Sequence, residues 1–271
     1  MTPLIIDASV AVKWLAEEVG HAQAVHLLRH GASLFRAPSC LVAEVVNASL
    51  HKGWRGEVGE DTVRDAKTFL FDAIPQFDPD VTLIDNAIPM AQELKHSLYD
   101  CLYLASAAEA VGFVVTADRK LVEKVRGTPY ALHVRALADA ERVLAFAHMS
   151  ISLSAFNDIV RVAEASTATK SGVYDQVSRK TGKFSIVAAG DLDIASPNHL
   201  RLENALKALS VEARADLLAL ARFGDALPGE YDTWEQCRDL GNTHDMEPYF
   251  LGYMQPRLLL LGLERFLSDP P

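Results

Sequence analysis

"PLIID" (residues 3–7) and "FVVTAD" (residues 113–118) decide the fold. Each is a short apolar run that ends in an aspartate, and each leads into a helical pattern. "ASVAVKWLAEE" (8–18) follows Asp7, and "RKLVEKVRG" (119–127) follows Asp118. Apolar runs this short, with no polar alternation, read as strands buried on both faces. "SLFRAP" (33–38) and a stretch within "YALHVRAL" (130–137) read as further strands. The segments between them carry helical spacing: "HAQAVHLLRHG" (21–31), "SCLVAEVVNASLHKG" (39–53, capped by Ser39 and ended by Gly53), 60–72, 80–96, "SLYDCLYLASAAEAVG" (97–112) and "DAERVLAFAH" (139–148). Alternation of strands and helices predicts an α/β/α sandwich around a parallel sheet. Ligands on such sheets bind beyond the carboxyl ends of the strands, which is where Asp7 and Asp118 stand.

The pattern changes after His148. "MSISLSAFNDIVRVAEAS" (149–166) is helical, and residues 166–199 are rich in Ser, Thr, Gly, Lys and Asp without periodicity. That composition predicts a long loop or a disordered tract. "NHLRLENALKALSVEARADLLALARFG" (198–224) follows as two helical patterns with Ser210 as the cap between them, and shorter helices complete the chain. The expectation is two domains: an α/β unit over 1–148 and a smaller all-α unit over 149–271. "AFAHMSIS" (145–152) reads as a start-codon region after a complete domain, a natural fusion or an engineered junction, or as an internal methionine.

The 271 residues carry a net charge of −10. Residues 1–148 hold 14 Lys/Arg against 19 Asp/Glu, and the remainder 12 against 17. Bulk positive charge therefore cannot be the means of binding nucleic acid; a local site has to do it. Three dispersed cysteines, Cys40, Cys101 and Cys237, fit neither a disulfide framework nor a zinc site. With no secretory signal and no membrane-length apolar run, they read as reduced thiols in a cytoplasm.

Four carboxylates stand out, and each also has a plain structural reading. Asp7 and Asp118 can cap the helices they precede. Asp100 can close a capping box with Ser97. Glu44 can face solvent. Helical spacing argues against the last two. Asp100 shares a helix side with Leu104, Ala107, Ala108 and Val111, and Glu44 flanks the arc of Leu41, Val42, Val45, Val46 and Ala48. No Lys or Arg lies within those faces to pair with them. Four acids converging on one pocket repel, and a hard divalent cation with oxygen ligands resolves the repulsion. A phosphatase with an aspartyl nucleophile would want an aspartate where Ser9 stands, and no Gly-rich phosphate loop is present.

"IIDASVAVKWL" (5–15), "LVAEVVNAS" (41–49), "YDCLYLASAAE" (99–109) and "VVTADRKLV" (114–122) together resemble the four acidic motifs of PIN-domain ribonucleases, in particular the VapC-like toxins of toxin–antitoxin pairs. The resemblance covers residues 1 to about 145. It implies an RNA endonuclease in which Asp7, Glu44, Asp100 and Asp118 bind Mg²⁺ or Mn²⁺, with Ser9 and Thr116 supporting them. It further implies products with a 5′-phosphate and a 3′-hydroxyl, an antitoxin partner and a homodimer. Arg119 and Lys120 are then placed to meet the RNA backbone, with Lys124 and Arg126 as a solvated helix face or an extension of that contact. Trp14, Leu15 and Leu28 read either as a partner surface or as core. A non-catalytic PIN-fold module is the alternative, against which the presence of all four acids argues. The C-terminal half, through "LSVEARADLLALARFG" (209–224) and "GNTHDMEPYFLGYMQPRLLLLGLERF" (241–266), resembles a bacterial helical domain of uncharacterised function; His244 and Asp245 have no partner at ligand spacing.

Overall fold

The computed structural model describes residues 1–167, 197–225, 233–234, 236–238 and 254–268. The chain divides into two compact units, Met1–His148 and Met149–Pro270.

The first unit is built on five parallel strands: β1 (Leu4–Ile6), β2 (Phe35–Pro38), β3 (Gln76–Asp78), β4 (Phe113–Thr116) and β5 (Val134–Ala136). Their order is β3-β2-β1-β4-β5. Leu4 is in register with Phe35 on one side and Phe113 on the other. β1 is thus central, and Leu4, Ile5, Ile6, Phe113, Val114 and Val115 are all fully buried. This is the expected state of parallel strands covered on both faces. The covering helices are α1 (Ala8–Leu15), α2 (His21–Gly31), α3 (Cys40–Trp54), α4 (Glu60–Ala73), α5 (Asp80–Leu94), α6 (Leu98–Ala110), α7 (Arg119–Val125) and α8 (Ala140–Ala147). The strand order reverses between β1 and β4. This is the switch point at which open parallel sheets form a crevice.

Several local expectations need correction. β3 has no counterpart in the sequence reading, because "QFD" offers no apolar run. The strand is fastened to β2 by Asp78, which accepts from Arg36 Nη2 at 2.5 Å, Arg36 Nε at 3.2 Å and Ser106 Oγ at 2.6 Å. α1 stops at Leu15 rather than Glu18. Glu18 instead accepts from Lys13 and Lys52, each at 2.5 Å. Ser39 precedes α3 but does not cap it with its side chain; its hydroxyl donates to Asp78 O at 3.0 Å. The first helical N–H, from Cys40, goes to Asp80 Oδ1 at 3.0 Å. Trp14 is core. It stacks on Phe35 at 5.6 Å and its Nε1 donates to Ala24 O at 2.8 Å, while Leu15 and Leu28 are half-buried.

In the second unit, the described residues form helices and no strand: α9 (Leu153–Thr167), α10 (Pro197–Lys207), α11 (Val211–Asp225) and α12 (Pro256–Ser268). Ser210 caps α11, accepting from Ala213 N at 3.1 Å. Asp216, buried on α11, accepts from Ser150 N at 2.8 Å and Ile151 N at 3.2 Å. α11 and α12 approach backbone to backbone at Gly224 and Gly262. A β-carbon on Gly262 would lie 1.8 Å from Leu220 O, and one on Gly224 would lie 2.1 Å from Leu258 O. Most of the polar 166–199 tract, and His244 and Asp245, lie outside the described residues. Cys40, Cys101 and Cys237 are buried free thiols. No described helix is long and apolar enough to cross a membrane.

Candidate metal centre

Asp7 leaves the carboxyl end of β1 in extended backbone geometry (φ −78°, ψ 147°) and caps α1, accepting from Ser9 N at 2.9 Å. Asp118 leaves the end of β4 in the same way and accepts from Lys120 N at 2.7 Å. The switch point sets these two acids on either side of one crevice. Thr116, fully buried, joins them: its hydroxyl donates to Asp7 Oδ2 and accepts from Asp118 N at 2.9 Å. Ser9 completes the frame. Its Oγ accepts from Ala117 N at 2.9 Å and lies 3.3 Å from Thr116 Oγ1. Ser9 and Thr116 thus hydrogen-bond to Asp7, to the Asp118 backbone and to Ala117.

Glu44 comes from the second turn of α3 and is half-buried. Tyr103 Oη, from the buried face of α6, donates to Glu44 Oε2 at 2.5 Å. Asp100 sits in the first turn of α6. It is not central to the buried face, because Ala108 on the same side is exposed. It is half-buried where the helix start opens to the crevice, and it is not without a basic neighbour: His96 Nε2 lies 2.9 Å from Asp100 Oδ2. Ser97 alone caps α6, accepting from Tyr99 N at 3.2 Å. Arg119, Lys120, Lys124 and Arg126 are exposed on and just after α7.

One tight group of potential ligand atoms results. His96, Asp100 and Asp118 each offer an atom within 4.8 Å of the others. Asp7 and Glu44 are outside that group but feel its charge. Burial pushes the Asp7 carboxyl up to about 6, against the pull of the Thr116 and Ser9 hydrogen bonds, and the charges of Asp100 and Glu44 add to the rise. Burial likewise raises Glu44, against the Tyr103 hydrogen bond and with Asp100 and Asp80 adding. Asp100 is raised by burial and by Asp118, with His96 opposing. Acids crowded at the cost of their own ionisation are what a cation relieves. His96 Nε2 is itself buried and, although 2.9 Å from Asp100 Oδ2, makes no hydrogen bond. The residues fit a divalent metal ion.

His96 escaped the sequence reading because Ser97 caps α6 after it, so no helical periodicity connects it to Asp100. The available signal was a histidine four residues before Asp100.

A three-layer parallel α/β fold with carboxylates at its switch point is suited to hold a hard divalent cation there. Residues 4–127 match the family model of the PIN domain. PIN domains are typically metal-dependent nucleases that use Mg²⁺ or Mn²⁺. No curated protein matches the chain.

Proposed function

We propose that the protein is a metal-dependent RNA endonuclease, acting in the cytoplasm as the toxin of a toxin–antitoxin pair, with Asp7, Glu44, Asp100 and Asp118 as the acids of its Mg²⁺ or Mn²⁺ centre. The observation that carries this reading is the approach of Asp100 and Asp118 within a single 4.8 Å group at the switch point of a PIN domain. Pairing with an antitoxin and binding of RNA are common among PIN-domain proteins, which supports both as partners. A homodimer is part of the same proposal. The buried Trp14 is not available to any partner surface.

When bound, a divalent ion there supplies polarisation of the phosphate and a water of lowered pKa. The protein's part is positioning. Ser9 N and Thr116 Oγ1 fix both oxygens of Asp7. Thr116 fixes the backbone at Asp118, and Tyr103 fixes Glu44. Held this way, the acids need no reorganisation when the reacting phosphate carries its extra charge. Arg119 and Lys120, exposed beside Asp118, meet the flanking phosphates of a strand laid across the crevice.

The test is incubation of the purified protein with total RNA in Mn²⁺, Mg²⁺ or EDTA, beside Asp7→Asn and Asp100→Asn. The expected result is cleavage in metal, none in EDTA, and loss of at least about a hundredfold in rate in either variant with the circular dichroism spectrum kept. Near wild-type cleavage by either variant would remove the assignment.

A further inference from the structure

We propose that His96 is a nitrogen ligand of this metal centre and biases it toward a first-row transition ion over Mg²⁺. The inference rests on the metal-centre reading above and goes further by giving the site a mixed nitrogen–oxygen donor set.

His96 occupies the three-residue turn between α5 and α6. Lys95, with φ 48° and ψ 53°, ends α5 in the left-handed region, and His96 N donates to Ala91 O at 3.2 Å. The imidazole is thereby held against the start of α6, with its side chain 17% exposed. Its Nε2 is buried, lies 2.9 Å from Asp100 Oδ2, and yet makes no hydrogen bond. An imidazolium–carboxylate pair at this distance would align N–H with oxygen, since charge-assisted bonds are the strongest available to either group. That alignment is absent.

Two heteroatoms 2.9 Å apart that share no hydrogen bond suit neighbouring ligands of one ion. Ligands at about 2.1 Å from an octahedral ion stand about 3.0 Å apart when they are adjacent. The separation of 2.9 Å between Nε2 and Oδ2 matches that edge. An Asp118 oxygen stands within 4.8 Å of a ligand atom of each of them, against about 4.2 Å for opposite ligands of such an ion, so a modest shift of its side chain brings it to a shared ion. A buried ring nitrogen 2.9 Å from a carboxylate oxygen with no hydrogen bond between them calls for an explanation, and a bound ion is one that applies.

The consequence is selectivity. Mg²⁺ prefers oxygen ligands and keeps its waters, whereas imidazole raises affinity for transition ions relative to it. Removing the nitrogen while keeping an oxygen donor of similar reach should weaken the transition ion and spare Mg²⁺.

The experiment uses the full chain and Mn²⁺ and Mg²⁺ as probes. Calorimetry gives the affinity of wild type, His96→Gln and Asp100→Asn for each ion. Electron spin-echo modulation of the Mn²⁺-loaded wild type reports directly bound ¹⁴N without needing any variant. The expected result is nitrogen coupling in wild type that disappears in His96→Gln, with Mn²⁺ affinity down by about tenfold or more and Mg²⁺ affinity within about threefold. Wild type that binds Mn²⁺ without nitrogen coupling, or a His96→Gln variant with an unchanged Mn²⁺/Mg²⁺ ratio, overturns the role of His96 and leaves the acidic centre standing. Wild type that binds neither ion overturns the centre itself.

Discussion

Thr116 carries no charge, yet a single hydroxyl at its position ties Asp7 to Asp118 across the crevice. The cost of that arrangement falls on Asp7. Burial holds its folded pKa at about 6, above the ordinary value of 3.8. A raised carboxyl binds more protons folded than unfolded, so metal-free stability falls as pH rises from about 4 through about 6. Glu44 and Asp100 shift in the same direction. Glu18 shifts the opposite way, so its contribution is present above its unfolded value and is lost only at lower pH. Asp7→Asn should therefore gain on wild type by about 2 kcal/mol between about pH 4 and about pH 7 in EDTA. Urea titrations of both proteins at the two pH values measure the gap, and a gap that stays constant contradicts a buried, raised Asp7. Asp7 and Asp118 were legible as acids that follow strands, since strand, cap and helix are all local patterns. The hydroxyl bridge was only partly legible, and His96 not at all, because both depend on contacts that no local pattern encodes.

The elements divide along the same line. β1, β2 and β4 declared themselves through their apolar runs, and β5 lay within a stretch that could be marked. β3 could not be read, because it is held by the polar Arg36–Asp78–Ser106 contacts and not by an apolar run. Trp14 was ambiguous in the sequence. A tryptophan on an amphipathic helix serves a core or a partner equally well, and only the position of Phe35 decides. The crossing of α11 and α12 was equally silent. A glycine inside a helical pattern ordinarily weakens it, and here Gly224 and Gly262 are what let two backbones meet. Gly262→Ala sets a methyl group against a backbone carbonyl, which has no flexible end to move aside. The helices must separate, at a cost of about 1–3 kcal/mol. Hydrogen exchange should show faster opening of Val211–Asp225 and Pro256–Ser268, with β1 and β4 keeping their protection. Unaltered exchange in those two helices would contradict the close crossing.

At the scale of the whole molecule, all the acids proposed as ligands belong to the unit Met1–His148. We expect residues 1–148 expressed alone to fold and to cleave RNA within about tenfold of the full chain, because none of the proposed acids is lost. An insoluble or inactive fragment beside an active full chain would show that the helical unit contributes to catalysis. The strand order has one more consequence, which concerns birth and not stability. β1 leaves the ribosome before its partner β4, and the bridge from Asp7 to Thr116 spans 109 residues. At about 5–20 residues per second, roughly 5–20 s of synthesis separate the first acid from the hydroxyl that fixes it. Throughout that interval the crevice does not exist. If the proposed centre cuts RNA, the nascent chain cannot assemble it beside ribosomal RNA and its own message until most of the first unit has been made.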